Sequence, residues 1–317
     1  MNKLLAIGEA LIDMIPEQVN VGISEVQKFQ PIVGGAPANV CGAFVKLGGK
    51  AEMITQLGDD PFGDKIVAEF DSFGIGKSYV KRTDKANTAL AFVALKEDGN
   101  REFSFYRSPS ADMLMSAEDV KEEWFEGEFA LHFCSVSLGD YPMKEAHKQA
   151  IEYAKKHDLL ISFDPNLRKM LWKDEKALYD TVHEFIPKTH ILKISDEELE
   201  FLTGKTSMEE AKEELFRGEV KMILYTKGAL GAECYTKNAC ASSACEKVKA
   251  IDTTGAGDGF IGAFLYQLYE HGFTAETMDK ITAEQMQQFL KFSNNFCGHS
   301  VQKKGAIASY PTKEELF

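Results

Sequence analysis

At 317 residues, with 44% hydrophobic and 27% charged side chains, the chain can bury a sizeable core as one large domain or as one domain with a smaller attachment. Its 36 basic and 49 acidic residues give a formal charge of −13, and no basic stripe is present, which argues against a nucleic-acid or anionic-membrane partner. The six cysteines form no Cys-x-x-Cys pair and the seven histidines form no metal-binding array, so zinc is not expected. No apolar run reaches membrane-spanning length and none reads as a signal peptide. The expected setting is cytoplasmic and reducing.

In chain order, residues 4–7 read as a buried strand ending at Gly8. Asp13 then interrupts an apolar extended stretch, where a carboxylate suits the hydroxyls of a polar ligand. Residues 21–29 read as extended. Gly34-Gly35-Ala36-Pro37-Ala38-Asn39 comes next, a glycine corner opening a helix over 36–47, with the Asn39 amide placed near the corner. A core strand at 51–57 and a helix closed by Gly74 succeed it. The pattern then turns to two strands, 88–95 and 102–107, joined across Glu97-Asp98-Gly99-Asn100, a hairpin signal. Residues 10–33 and 86–108 are thus expected to form a small β lid. Residues 1–9, 34–85 and 109–317 make a discontinuous α/β domain.

From residue 129 onward strands (130–136, 159–163, 191–194, 222–225) alternate with helices (142–157, 175–186, 197–202, 283–301). Ser207-Met208-Glu209-Glu210 carries a capping-box pattern before a further helix. The alternation predicts a mostly parallel sheet covered by helices on both faces, with ligands at the carboxyl ends of the strands. Special sequences stand at those ends: Gly34-Gly35, Asp164-Pro165-Asn166-Leu167-Arg168, Lys193-Ile194-Ser195-Asp196-Glu197-Glu198, Thr226-Lys227-Gly228 and Asp252 to Asp258. Arg107 and Arg168 supply positive charge for sugar or phosphoryl oxygens, and Glu198 suits a hydrated Mg²⁺.

The most informative stretch is Asp252-Thr253-Thr254-Gly255-Ala256-Gly257-Asp258-Gly259. A strand-like run at 248–251 feeds it and an apolar helical pattern leaves it, so several backbone N–H groups converge at a helix start. A carboxylate at 258 would repel a resting phosphate. It fits a group that takes a proton from an attacking hydroxyl while the N–H groups hold the charge on a transferring phosphoryl group. A capping aspartate on a glycine-rich helix start is the plain alternative, and it accounts less well for the packing of small residues around one acid. Gly257, Gly259 and Gly262 also match a dinucleotide fingerprint. The residues beyond them are helical in pattern, though, and Asp258 would oppose a pyrophosphate, so a nicotinamide-dependent oxidoreductase is the weaker reading. No Walker-type loop is present.

With 34–39 and 252–258 both placed, the chain resembles the ribokinase-like (PfkB) sugar kinases over essentially its whole length. The resemblance implies ATP-dependent phosphorylation of a sugar hydroxyl. Asp258 would be the base, and the N–H groups of Gly255, Ala256 and Gly257 the anion hole. Asp13, Gly34, Gly35 and Asn39, with Arg107 and Arg168, would hold the sugar. Lys193, Thr226, Gly228, Gly231 and Asn295 would flank ATP, with Mg²⁺ near Glu198. The family's Asn-x-x-Glu motif falls on Ser195-Asp196-Glu197-Glu198, where serine replaces the asparagine. K⁺ would sit at Asp252, Thr254, Ser300, Lys303, Gly305 and Ser309, with Lys303 offering its carbonyl while its charge points away. Phe105-Tyr106-Arg107-x-Pro-x-Ala-Asp112 and 164–168 with Leu171-Trp172 after it resemble the fructokinase branch most, with 2-keto-3-deoxygluconate kinases next. A homodimer formed through the lid is expected. A sugar sensor that lacks activity is disfavoured, since it has no need of Asp258.

Overall fold

A computed structural model describes residues 2–95 and 101–316. The turn expected at 97–100 lies outside the described residues. Among the described residues, thirteen strands form two sheets. The large one contains β1 (Leu4–Ile7), β4 (Ala51–Gly58), β5 (Val80–Thr83), β8 (Ala130–Cys134), β9 (Leu160–Asp164), β10 (Ile191–Ser195), β11 (Met222–Thr226), β12 (Ala232–Tyr235) and β13 (Cys240–Ser243). The small one contains β2 (Leu11–Pro16), β3 (Phe29–Gly34), β6 (Leu90–Leu95) and β7 (Arg101–Tyr106).

The order β13-β12-β11-β10-β9-β8-β1-β4-β5 is parallel from β11 to β5. Strands β1, β4, β8 and β9 are buried along their whole length because helices cover both faces of the sheet; all eight residues of β4 are buried. From β1 the chain steps outward to β4 and β5, then returns to the other side of β1 and continues through β8, β9, β10 and β11. The strand order therefore reverses between β1 and β8, and the crevice beyond their carboxyl ends is where an open α/β sheet binds its ligand.

On one face pack α1 (Ala36–Lys46), α7 (Ala256–Glu270) and α8 (Ala283–Ser300), burying Val40, Phe44, Phe264 and Phe289. The other face holds α3 (Pro142–Lys156), α4 (Glu175–Phe185), α5 (Asp196–Thr203) and α6 (Met208–Leu215) around Phe133, Phe163 and Phe185. The remaining helix, α2 (Pro61–Phe73), shows why its ends fall where they do. The Asp60 carboxylate accepts from the N–H groups of Phe62 (3.0 Å) and Gly63 (2.9 Å), Pro61 opens the helix, and Gly74 closes it in the left-handed region at φ +77°.

Four expectations need correction. Residues 248–251 form no strand, because Val248 and Ile251 are 41% and 61% exposed and the segment is tied instead to the end of α8, Ile251 N–H donating to Val301 O at 2.7 Å. Ser207 does cap α6 in position, but its side chain makes no capping bond. Residues 21–29 are not one extended run: a short helical turn occupies Ile23–Glu25 and only Phe29 joins β3. The β12–β13 hairpin adds two strands absent from the sequence pattern, since its turn (Thr236 N–H to Ala239 O, 2.8 Å) lacks the glycine that usually announces one. The small sheet is mixed, with β2 antiparallel to β3 but parallel to β6.

Candidate active site

The turn into α7 is built around Gly255, which takes φ +72°, and its carbonyl accepts the Tyr310 phenol at 2.7 Å. A side chain here would meet the Ala306 Cβ and the Tyr310 hydroxyl at 2.7 Å, so the turn requires glycine on conformational and steric grounds alike. α7 begins at Ala256, which puts Asp258 in its first turn. Among the described residues, the backbone N–H groups of Gly255, Gly257 and Asp258 have no protein acceptor. The Ala256 N–H does have one, closing the turn onto Thr253 O at 3.2 Å. Of the expected 255–257 trio, Gly255 and Gly257 thus keep an uncommitted N–H while that of Ala256 closes the loop, and the Asp258 N–H beside them is uncommitted as well.

The Asp258 carboxylate is 7% exposed and held by two amides. Asn39 Nδ2 donates to Oδ2 at 2.8 Å, and Asn166 Nδ2 donates to Oδ1 at 3.2 Å. Burial pushes its pKa up to about 6; the Asn39 bond opposes this, the Asp164 charge adds to it, and Lys193 and Arg168 oppose it. In the sequence Asn166 belongs to a strand-end motif that gives it no role of its own. Its φ of +45° at a non-glycine position is part of what aims the amide inward. Asn39 is 5% exposed, and its Oδ1 is buried without a partner, an acceptor left over once the amide nitrogen serves Asp258.

Lys193 supplies the cation. Its ammonium is buried and lies 2.8 Å from the Asp164 carboxylate. Burial opposes the charge, yet Asp164, Glu198 and Asp258 together hold it above the ordinary lysine range. A Cβ on Gly257 would lie 3.2 Å from Lys193 Nζ, so the ammonium sits directly against the first turn of α7.

Two cavities meet at this point. One of about 530 Å³ is lined by Asp13, Gly35, Asn39, Arg168 and Asp258, by Glu9, and by Phe103 and Phe105 of the small sheet. A second of about 720 Å³ is lined by Thr226, Gly228, Gly231 and Asn294. Lys193, Thr253, Ala256 and Gly257 belong to both walls.

Three expected residues stand elsewhere. Gly34 lies behind the wall, where a side chain would strike the Asp13 carboxylate at 2.2 Å; its absence of a Cβ makes room for that acid. Arg107 is turned inward, bonding Val136 O (Nη1, 3.3 Å) and paired with Asp112. Asn295 reaches Leu316 O at 3.5 Å, whereas Asn294 faces the second cavity and donates to Ser243 O at 2.9 Å. One residue along a helix turns a side chain by about 100°, which sequence spacing alone does not resolve here.

Two ion sites can be tested against the residues present. Each Glu198 oxygen accepts one backbone N–H at 2.9 Å, from Leu167 and from Ser195, and keeps a second lone pair. Among the described residues no group of three or more His, Cys, Asp or Glu is placed to hold a metal directly. This fits an ion carried largely on its own waters, as Mg²⁺ prefers. The six positions named for K⁺ come together at one loop cluster. Asp252 accepts from Thr254 (N–H 2.9 Å, Oγ1 2.6 Å) and from Gly305 N–H (2.9 Å), and Ser300 and Ser309 bond each other at 2.7 Å. The Lys303 ammonium points outward, 3.9 Å from Glu315. Those side chains are engaged with one another, so ligands for a monovalent cation would be chiefly backbone carbonyls.

A buried carboxylate at an open helix N-terminus, a cation against it and two cavities meeting there are the features of a small-molecule kinase of ribokinase-like architecture. The chain belongs to the pfkB family of carbohydrate kinases, whose family model matches residues 1–313. It is 39% identical to a probable fructokinase-2 of Arabidopsis thaliana over 99% of this chain and 94% of that one. Its fold is similar to that of a fructokinase from Xylella fastidiosa solved with ATP (TM-score 0.90, 31% identity, 100% and 97% of the two chains). It is also similar to a fructokinase from Vibrio cholerae O395 solved with fructose, ADP and calcium (TM-score 0.86, 31% identity, 100% and 98%). The dinucleotide alternative fails on placement. Gly257, Gly259 and Gly262 all lie within α7, and Gly262 serves packing, a Cβ there falling 2.7 Å from the Ala43 side chain.

Proposed function

We propose that this chain is an ATP-dependent fructokinase that converts fructose to fructose 6-phosphate, with Asp258 as the general base. The observation that carries the site assignment is the position of Asp258: buried, amide-held, with a pKa of about 6, where the two cavities meet. Fructose occupies the smaller cavity and ATP the larger. As the sugar oxygen forms its bond to the terminal phosphorus, Asp258 takes the hydroxyl proton and the phosphorus–oxygen bond to ADP breaks. Asn39 and Asn166 fix the carboxylate's direction, and the free N–H groups of α7 with Lys193 hold the charge on the phosphoryl oxygens. Glu198, whose oxygens each keep a free lone pair, would hold a hydrated Mg²⁺, which would supply charge neutralisation on the nucleotide. Arg168 is exposed at the rim of the sugar cavity, suited to closing over the reacting groups. The small sheet, whose Phe103 and Phe105 roof the sugar cavity, acts as the lid.

Release of ADP measured across fructose, 2-keto-3-deoxygluconate, ribose and adenosine tests the substrate. Fructose is expected to lead, and a preference for any other refutes the assignment. The base must be unprotonated, so kcat/KM for fructose should fall about tenfold per pH unit below about pH 6. A profile flat down to about pH 5 would remove Asp258 from that role. K⁺ at the 252–309 cluster should raise turnover over tetramethylammonium, and Asp252→Ala should abolish the difference. We further infer a homodimer through the small sheet, on which Tyr106 is 64% exposed; sedimentation of the wild type and of Tyr106→Glu tests it. Among the described residues no helix is long and apolar enough to cross a membrane, and all six cysteines are free, which supports a cytoplasmic setting.

A further inference from the structure

One basic residue beside the sugar cavity has no task in phosphoryl transfer. Arg107 comes directly after β7, the strand whose Phe103 and Phe105 line the cavity, so its guanidinium is a buried basic group lying beneath the small sheet. It does not line the cavity. Its side chain is 3% exposed, and Nη2 pairs with Asp112, itself 1% exposed. Nη1 donates to the Val136 carbonyl, and Nε is buried with no partner. The other Asp112 oxygen accepts from Ser110.

Glu9 lies between this pair and the cavity. It is 2% exposed and lines the wall, accepting from Ser137 Oγ at 2.7 Å and from Ala36 N–H at 3.3 Å. Burial raises its pKa, while the Arg107 charge and the Ser137 bond draw it back. One guanidinium thus faces two carboxylates, and Asp13 and Asp258 add two more acids to the same wall. Lys193, the other buried cation here, is matched by Asp164. Among the described residues, the wall offers acceptors (Asp13, Asp258 and the unpartnered Asn39 Oδ1) and no uncommitted buried cation; its other cations, Arg168 and Lys169, are exposed to solvent at the rim, and Lys169 pairs with Glu175 at 3.0 Å. Such a wall welcomes a ligand rich in O–H donors and opposes one that brings its own negative charge.

We propose that the buried Arg107–Asp112 pair is a charge lock that sets substrate class: by neutralising the buried guanidinium beneath the small sheet, Asp112 confines the cavity to uncharged polyols and excludes sugar acids. Asp112 is then a positioning residue, acting through Arg107. This rests on the kinase reading above and extends it to the charge of the substrate.

Asp112→Asn in the full chain keeps the shape and one acceptor while releasing a positive charge. At a separation of about 6 Å and an effective dielectric constant of about 20, one released charge corresponds to about 100-fold. The ratio of kcat/KM for 2-keto-3-deoxygluconate over fructose is expected to rise about 10- to 100-fold, chiefly through a lower KM for the acid. A merely structural role would lower both substrates together. Because a buried pair is being broken, Glu9→Gln serves as the second variant: it removes the other carboxylate facing Arg107 and should shift the ratio the same way. Calorimetric binding of the two compounds without nucleotide gives the same ratio independently of turnover. A wild type that binds the acid as tightly as fructose overturns the lock, and so does a ratio unchanged within about twofold in both variants. Absence of phosphoryl transfer to any sugar, with the binding ratio shifted as expected, would instead fault the kinase reading and leave the lock standing.

Discussion

Asp258→Asn should lower kcat for fructose by about 10²–10⁴-fold while leaving the affinity for the sugar nearly unchanged. The substitution keeps size and polarity, so the turn at Gly255 and the packing of α7 survive. Asn39 can turn its unpartnered Oδ1 toward the new NH2 group, which keeps both amide contacts and leaves the proton-accepting oxygen as the main loss. A primary alcohol is a poor nucleophile, and its proton must leave as the bond to phosphorus forms. In the role proposed for it, a carboxylate with a pKa of about 6 is matched to that task at neutral pH, being ionised yet still basic enough to receive a proton. The burial that raises this pKa also keeps water from competing for the phosphoryl group. Steady-state turnover together with calorimetric titration of fructose separates the two effects. Loss of sugar binding in step with turnover would mean that Asp258 holds the substrate and does not act on it.

Lys193→Met should have the next largest effect, and on two quantities at once. Removing the ammonium leaves Asp164 buried and unpaired, which costs about 3–5 kcal/mol of stability. It also removes the cation lying against the helix start, for which a loss of about 10²–10³-fold in kcat/KM is expected. A second change, Asp164→Asn, distinguishes these roles. The new side-chain amide would still accept the Asn166 N–H that Asp164 now accepts at 3.2 Å, and the carboxylate paired directly with Lys193 would no longer be left as an uncompensated charge. The double variant should therefore regain most of its Tm but none of its turnover. Recovery of both would reduce Lys193 to a structural counter-ion.

How far the sequence carries these conclusions differs from element to element. Strands flanking the site are readable because β4, β8 and β9 are buried on both faces and show it as largely apolar runs. The Gly255-Ala256-Gly257-Asp258 turn is readable because only small residues tolerate its geometry. Less is visible where a partner distant in the chain decides the outcome. Asn166 bonds an acid 92 positions away, and nothing local marks it apart from other Asp-Pro-Asn turns. Arg107 looks like a ligand-binding arginine until Asp112, five residues on, is seen to take its charge. Asn294 and Asn295 are indistinguishable in sequence, and only the rotation of α8 assigns one to the cavity. Residues 248–251 have the composition of a strand but no neighbouring edge to pair with. The charge balance of the cavity beneath the small sheet is the least visible property, because its members come from the ends of β1 and β7, from β2, from the short turn at Asp112 and from the first turn of α7.

The most direct measurement tracks fructose and ATP by phosphorus NMR with proton coupling, locating the new phosphate on the sugar. The proposal predicts one fructose 6-phosphate for each ADP formed, with the rate collapsing in Asp258→Asn. ATP left intact in the presence of fructose, or phosphate attached at any position other than the 6-hydroxyl, would contradict it.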